Sequence, residues 1–137
     1  MAYTITPWSK ATETVANGGK TLTNIYNKCT LAHTSGTTTA YTNNFNWSVT
    51  SDFTLMFNVA IDNTDGITWT IRVQGSGDGT NYANLQSFTS VAADAAVAMM
   101  VYDYDTYGRC PYMRLEMIPS ADVNGVADAI IIGIIPH

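Results

Sequence analysis

Two histidines, two cysteines and eleven carboxylates are the residues of this 137-residue chain that could hold a metal or move a proton. His33 sits in a Thr-rich stretch and reads as a solvated loop residue, and His137, as the final residue, is expected to be too mobile for precise positioning. A catalytic base needs held geometry, and hydrolysis by a nucleophile needs a base and an orienting group beside it. No Gly-x-Ser-x-Gly elbow occurs. Paired carboxylates are the next option, since glycosidases set two of them at fixed separations. Glu13 lies near the N-terminus, and Glu116 follows Arg114 on a strand-like run. In VYDYDTYGR, Asp103 and Asp105 alternate with Tyr102 and Tyr104 ahead of Tyr107, a composition that could flank a sugar-binding groove. The same composition serves exposed loops and subunit contacts, which is the simpler reading without convergent polar groups and a pocket.

Metal chemistry fares no better. The turn Asp62–Gly66 and the pair Asp78-Gly79 resemble calcium loops only superficially, because the alternating acid spacing and the distant bidentate Glu are missing. Cys29 and Cys110 lack the pairwise spacing of a zinc or redox motif and are most simply two reduced, buried thiols, a bridge between them requiring an oxidising compartment or a late maturation step. Gly75-Ser76-Gly77-Asp78-Gly79 lacks the Lys-Ser/Thr ending and following helix of a phosphate loop. The stretch ITWTIRVQGSGDGTNYANL, residues 67–85, is therefore read as two strands around a tight reversal, with Asp and Asn capping the turn. No catalytic residue, metal or cofactor is expected, and the chain is not expected to be an enzyme.

Composition points the same way. Charged residues make up 12% of the chain, against about 25% in an average soluble domain. Thr, Asn, Ser and Gly carry the polarity instead, which suits β-structure in shell components and binding modules better than in cytosolic enzymes. The net charge is −5 and the six basic residues are scattered, so the counterion-releasing surface that nucleic acid requires is absent. The start of the chain has no charged n-region or apolar h-region, and the apolar run Ala129 to Ile135 is far shorter than the ~20 residues that span a bilayer. Synthesis in a cytoplasm and no membrane partner are the expectations.

At this length one core is expected. Residues 1–20 read as an extended arm, broken by Pro7 and Asn17-Gly18-Gly19, with Tyr3, Ile5 and Trp8 needing a partner. Residues 21–137 read as a single β-sandwich. Leu22–Leu31 supplies a strand, and 34–44 a loop or irregular edge. Phe53, Leu55, Phe57, Val59 and Ile61 alternate with polar neighbours, as do Ile67, Trp69, Ile71 and Val73, and the Asn-Thr-Asp-Gly between the runs predicts a hairpin. Further strands are expected at 97–104 and 112–118, and 126–135 is apolar on both faces, as in a strand central to a packed sheet. Gly133 inside it implies a bulge or a close backbone approach. Strand signals at roughly ten-residue spacing with no long helical pattern predict an all-β fold, an antiparallel β-sandwich of jelly-roll type.

WTIRVQGSGDGTNYANL, followed by RCPYMRLEMIPS, resembles a pattern in β-sandwich proteins of tailed-phage particles and, more weakly, in discoidin-like sandwiches. Ser76, Asp78, Gly79, Thr80, Asn81 and Tyr82 carry the first half, and Tyr112, Arg114 and Leu115 the second. The phage resemblance implies a capsid decoration (cement) protein in the virion, bound to the major capsid protein and to its own copies, commonly as a trimer. It also implies that an N-terminal arm grips the shell. Tyr3, Ile5, Trp8, Trp47, Tyr102, Tyr104 and Tyr107 are then the candidate capsid or subunit contacts. A carbohydrate-binding module of a phage tail or fibre is the alternative, resting on the Tyr/Asp stretch and the sandwich fold.

Overall fold

The computed structural model describes residues 3–17, 20–33, 36–59, 68–92, 98–121 and 128–136. Within them run β1 (Tyr3–Ile5), β2 (Ser9–Asn17), β3 (Lys20–His33), β4 (Ala40–Tyr41), β5 (Phe53–Val59), β6 (Thr68–Ser76), β7 (Ala83–Ala92) and β8 (Ala98–Tyr102). A single helical turn, α1 (Tyr104–Tyr107), precedes β9 (Tyr112–Pro119) and β10 (Asp128–Pro136). Every pairing is antiparallel. One sheet runs β3-β10-β5-β8, with β1 and β2 both on the far edge of β3; the other runs β4-β9-β6-β7. This interleaving of sequence order between two sheets is a jelly roll.

Alternation makes the sandwich. Leu55 and Phe57 of one sheet and Trp69, Ile71 and Val73 of the other turn inward and are almost fully buried. Leu31, Leu115, Met117, Ile132 and Ile134 complete the interior. Each such side chain contributes roughly 1.5–3 kcal/mol by leaving water. β10 lies between β3 and β5, as its two-faced apolar run predicts. Its Gly133 marks a close approach and not a bulge. The register is continuous on both sides, and a Cβ there would lie 3.1 Å from Met56 Cε and 3.3 Å from the Tyr26 ring.

Four expectations change. The expected hairpin of residues 52–74 does not form: β5 pairs with β10 and β8, whereas β6 pairs with β7 and β9. The two strands face each other across the interior instead, with the Phe57 and Trp69 rings 6.5 Å apart. Alternation reports a buried face, and strands that pair or strands that oppose one another satisfy it equally. The Asp62–Gly66 turn lies outside the described residues.

The arm is strand. β1 and β2 follow one another along the edge of β3, with Tyr3 opposite His33, Ser9 opposite Lys28 and Asn17 opposite Lys20. Pro7 falls in the break between them, at a sheet edge where a missing N–H costs no ladder bond. Thr6 spans the break: its N–H donates to the Thr30 carbonyl at 2.9 Å, and its hydroxyl accepts from the Thr30 N–H at 2.8 Å. His33 ends β3 and does not stand in a loop.

The strand expected over 97–104 stops at Tyr102. Asp103 caps the helical turn, its carboxylate accepting from the Thr106 N–H at 3.2 Å and the Thr106 hydroxyl at 2.7 Å. Gly108, at φ +70°, ends it.

Truncating Phe57 to Ala removes a ring shared between the two sheets. Chemical denaturation should show a loss of roughly 3–5 kcal/mol, and a loss below about 1 kcal/mol would mean that this ring does not close the sandwich.

Candidate functional site

Aromatic rings converge where the 42–52 loop meets the segment after β8. Phe45 and Trp47 stack at 4.5 Å between centroids, and Trp8 stands edge-on to both at 5.5 and 5.4 Å. The series continues from Phe45 to Phe53 at 6.1 Å, from Phe53 to Tyr102 at 4.7 Å and from Tyr102 to Tyr107 at 6.1 Å. Backbone bonds fix the loop on the sheet edge: Thr42 N–H donates to the Leu115 carbonyl at 3.0 Å and Phe45 N–H to the Met113 carbonyl at 2.7 Å. Trp8 Nε1 donates to the Asn43 carbonyl at 2.8 Å, and Asn46 Nδ2 returns a bond to the Trp8 carbonyl at 3.2 Å.

Of the seven predicted contact residues, the structure gathers Trp8, Trp47, Tyr102 and Tyr107 in this series. Trp8 and Tyr102 are buried within it, so their side chains serve this chain's own core. Tyr102 donates its hydroxyl to the Gly108 carbonyl at 2.5 Å, and burial raises its pKa to about 12. Tyr107 is exposed, whereas Trp47 and Tyr104 are half-buried. Tyr3 and Ile5 stand apart on β1, half-buried against the core, and the Tyr3 hydroxyl accepts from the Tyr41 N–H at 3.4 Å.

Two cavities open at this end. One, of about 330 Å³, is lined by Phe45, Trp47, Ser48 and Val49 from the loop and by Arg109, Cys110, Pro111 and Met113 opposite. The other, about 410 Å³ and wide open, lies between Thr50, Ser51, Asp52 and the pair Tyr104 and Asp105. Asp52 is engaged there, its carboxylate accepting from the Tyr104 N–H at 2.7 Å. Among the described residues no group of three or more His, Cys, Asp or Glu could hold a metal ion.

The glycine-rich break is a capped reversal between β6 and β7. The Asp78 carboxylate accepts from the Thr80 and Asn81 N–H groups, each at 2.8 Å, and from the Asn81 amide at 2.8 Å and the Ser76 hydroxyl at 2.9 Å. Those donors, the Asn81 N–H first, hold its pKa well below the usual carboxylate range. The two halves of the pattern, residues 69–85 and 109–120, meet here. Ser76 pairs opposite Tyr112, and the Arg114 guanidinium is sandwiched between the Tyr82 ring at 3.7 Å and the Tyr41 ring at 4.1 Å. Arg114 Nε donates to Gln74 at 3.0 Å, Gln74 Nε2 donates to Asn84 and Glu116, and Arg72 pairs with Glu116 at 3.1 Å. Glu116 is thus ion-paired and hydrogen-bonded within a ladder on the sheet's outer face.

Sequence reasoning missed Phe45, although the alternation Phe45-Asn46-Trp47 was a visible signal of an aromatic pair. It also missed Arg109 and Gly75. A Cβ on Gly75 would come 2.6 Å from Cys110 Sγ, so this glycine makes room for the thiol at the cavity. Both cysteines are free. Cys29 is buried as expected, whereas Cys110 is only half-buried.

No protein family model matches the sequence, and no curated protein matches it. The chain is similar to a solved structure from work on the promiscuous specificity of carbohydrate-binding modules of the beta-sandwich superfamily. Identity is 12% and the TM-score 0.46 over 98% of this chain, which spans only 56% of that one. At that distance no ligand passes from that module to this chain.

Burial pushes the Cys29 thiol up to about 12, which withholds the reactive thiolate. Titration of the native protein with a thiol reagent at mildly alkaline pH should count one reactive cysteine, assigned to Cys110 by peptide mapping, and two after denaturation. Two rapid thiols in the native protein would contradict the packing of β3. Asp78 sets a second expectation. Its folded pKa lies below its unfolded one, so its contribution is complete above about pH 5 and fades as pH falls. Asp78→Ala should speed amide exchange at Thr80 and Asn81 at neutral pH, and the difference from the parent protein should shrink in acid.

Proposed function

We propose that this chain is a non-catalytic structural protein that works by broad surface contact, most specifically a capsid decoration protein of a tailed phage. In this reading it seats itself on the major capsid protein and on its own copies, as a trimer, without nucleic acid, membrane or cofactor. The observation that carries the reading is the unequal dress of the two outer sheet faces. The β4-β9-β6-β7 face is covered by the ladder of Arg72, Gln74, Arg114 and Glu116. The opposite face carries Met99 and Val101, 64% and 52% exposed. They sit in register with Met56 and Thr54, and Ile135 lies beyond Thr54. Two large apolar side chains standing side by side in water on one strand support the reading of this face as a docking surface.

The edge beside it is capped at its C-terminal end. Gln86 reaches from β7, donating to the Val101 carbonyl at 3.1 Å and accepting from the Asp103 N–H at 3.1 Å. Its amide occupies backbone groups that another strand would need.

A second reading, a carbohydrate-binding module of a tail or fibre, is favoured by the two loop-end cavities, which join aromatic walls to hydroxyl and charged side chains.

Light scattering across micromolar concentrations, together with co-sedimentation with assembled capsids, tests the first reading. The parent protein should self-associate and bind capsids, and Met99→Lys/Val101→Glu should lose both while keeping its circular dichroism spectrum. A monomer at all concentrations that ignores capsids would remove it.

A further inference from the structure

We propose that the cavity between residues 45–49 and 109–113 binds a carboxylated sugar ring, with the pyranose face on the Trp47 wall and the carboxylate on Arg109. The inference rests on the carbohydrate reading and gives it a sugar class and two named side chains. At about 330 Å³ the cavity falls in the size range of small-ligand sites. Its wall is built before any ligand arrives. Phe45 lies parallel to Trp47, Trp8 stands perpendicular to both, and the Trp8 indole and the Phe45 N–H are tied to backbone carbonyls. A wall fixed in this way loses little freedom on binding. Trp47 nonetheless stays half-exposed at the cavity, and Val49 and Met113 give it a buried apolar floor.

Charge selects within the sugars. Arg72 is paired with Glu116, and Arg114 is held between two tyrosines. Arg109 is exposed at the cavity and has no ion-pair partner among the described residues. One guanidinium matches one carboxylate through two parallel hydrogen bonds. A polyphosphate would need several cations together, and a chain of net charge −5 does not supply them here. A pyranose has C–H faces for an aromatic wall and hydroxyls on its rim, where Ser48 stands exposed. A neutral sugar leaves Arg109 unmatched, and a small carboxylate leaves the wall bare.

Cys110 lines the same cavity and is the thiol expected to react in the native protein, so its alkylation by iodoacetamide is the probe of occupancy. Glucuronate and N-acetylneuraminate should each slow Cys110 alkylation saturably. Glucose and acetate should need at least about tenfold higher concentration. Arg109→Gln, at an exposed position, should weaken the acidic sugars by about tenfold and leave glucose unchanged. If glucose protects as well as glucuronate, or if Arg109→Gln changes nothing, the assignment falls while the carbohydrate reading stands. If no sugar protects Cys110 and a glycan array also shows no binding, both fall.

Discussion

Closure of the two sheets over a single interior is the constraint from which the other features follow. Phe57 and Trp69 meet across it, and the inward residues of β3, β10 and β9 fill the space around them. Once each strand commits one face to that interior, only outer faces, edges and loops are left to act. At one end the rings from Trp8 to Tyr107 extend the packing beyond the sheets. They hold the start of the chain, the 42–52 loop and the segment after β8 as one body. The loop-end cavities are therefore shaped by the same burial that folds the domain.

The outer surfaces are treated unequally. On the smaller sheet, side chains that would otherwise reach into water are bound to one another, and Gln74 and Glu116 end up buried without entering the core. On the larger sheet, methionine and valine stand exposed, while Gln86 caps the end of the neighbouring edge. Exposed apolar side chains on the face and a capped strand end beside them favour flat docking. That combination suits a component whose work is contact. It does not require the acidic or glycine-rich turns to hold anything.

Much of this was legible in the chain. Alternation located β5, β6 and β9 to within a residue or two, because burying one face imposes a period of two. The break at Gly77–Asn81 was readable as a reversal, because its Asp and Asn bond to the backbone close by. Which strands pair was not readable. β5 and β6 are neighbours in sequence and lie in different sheets, a choice settled by long-range packing. The N-terminal strands were hidden for a similar reason, since an edge position tolerates Pro7 and a weak pattern. Arg109 and Cys110 gave no signal, because only the fold brings them to Phe45 and Trp47.

If the protein decorates a capsid, the outer face of the larger sheet is its working surface. Methionine oxidation read by mass spectrometry tests it directly, since Met99 is exposed on that face while Met113 and Met117 are buried in the core. With dilute peroxide, Met99 should oxidise readily in the free monomer and be shielded once the protein is assembled on itself or on a capsid, with Met113 and Met117 protected in both states. Equal oxidation of Met99 in the free and assembled states would show that the contact is made elsewhere.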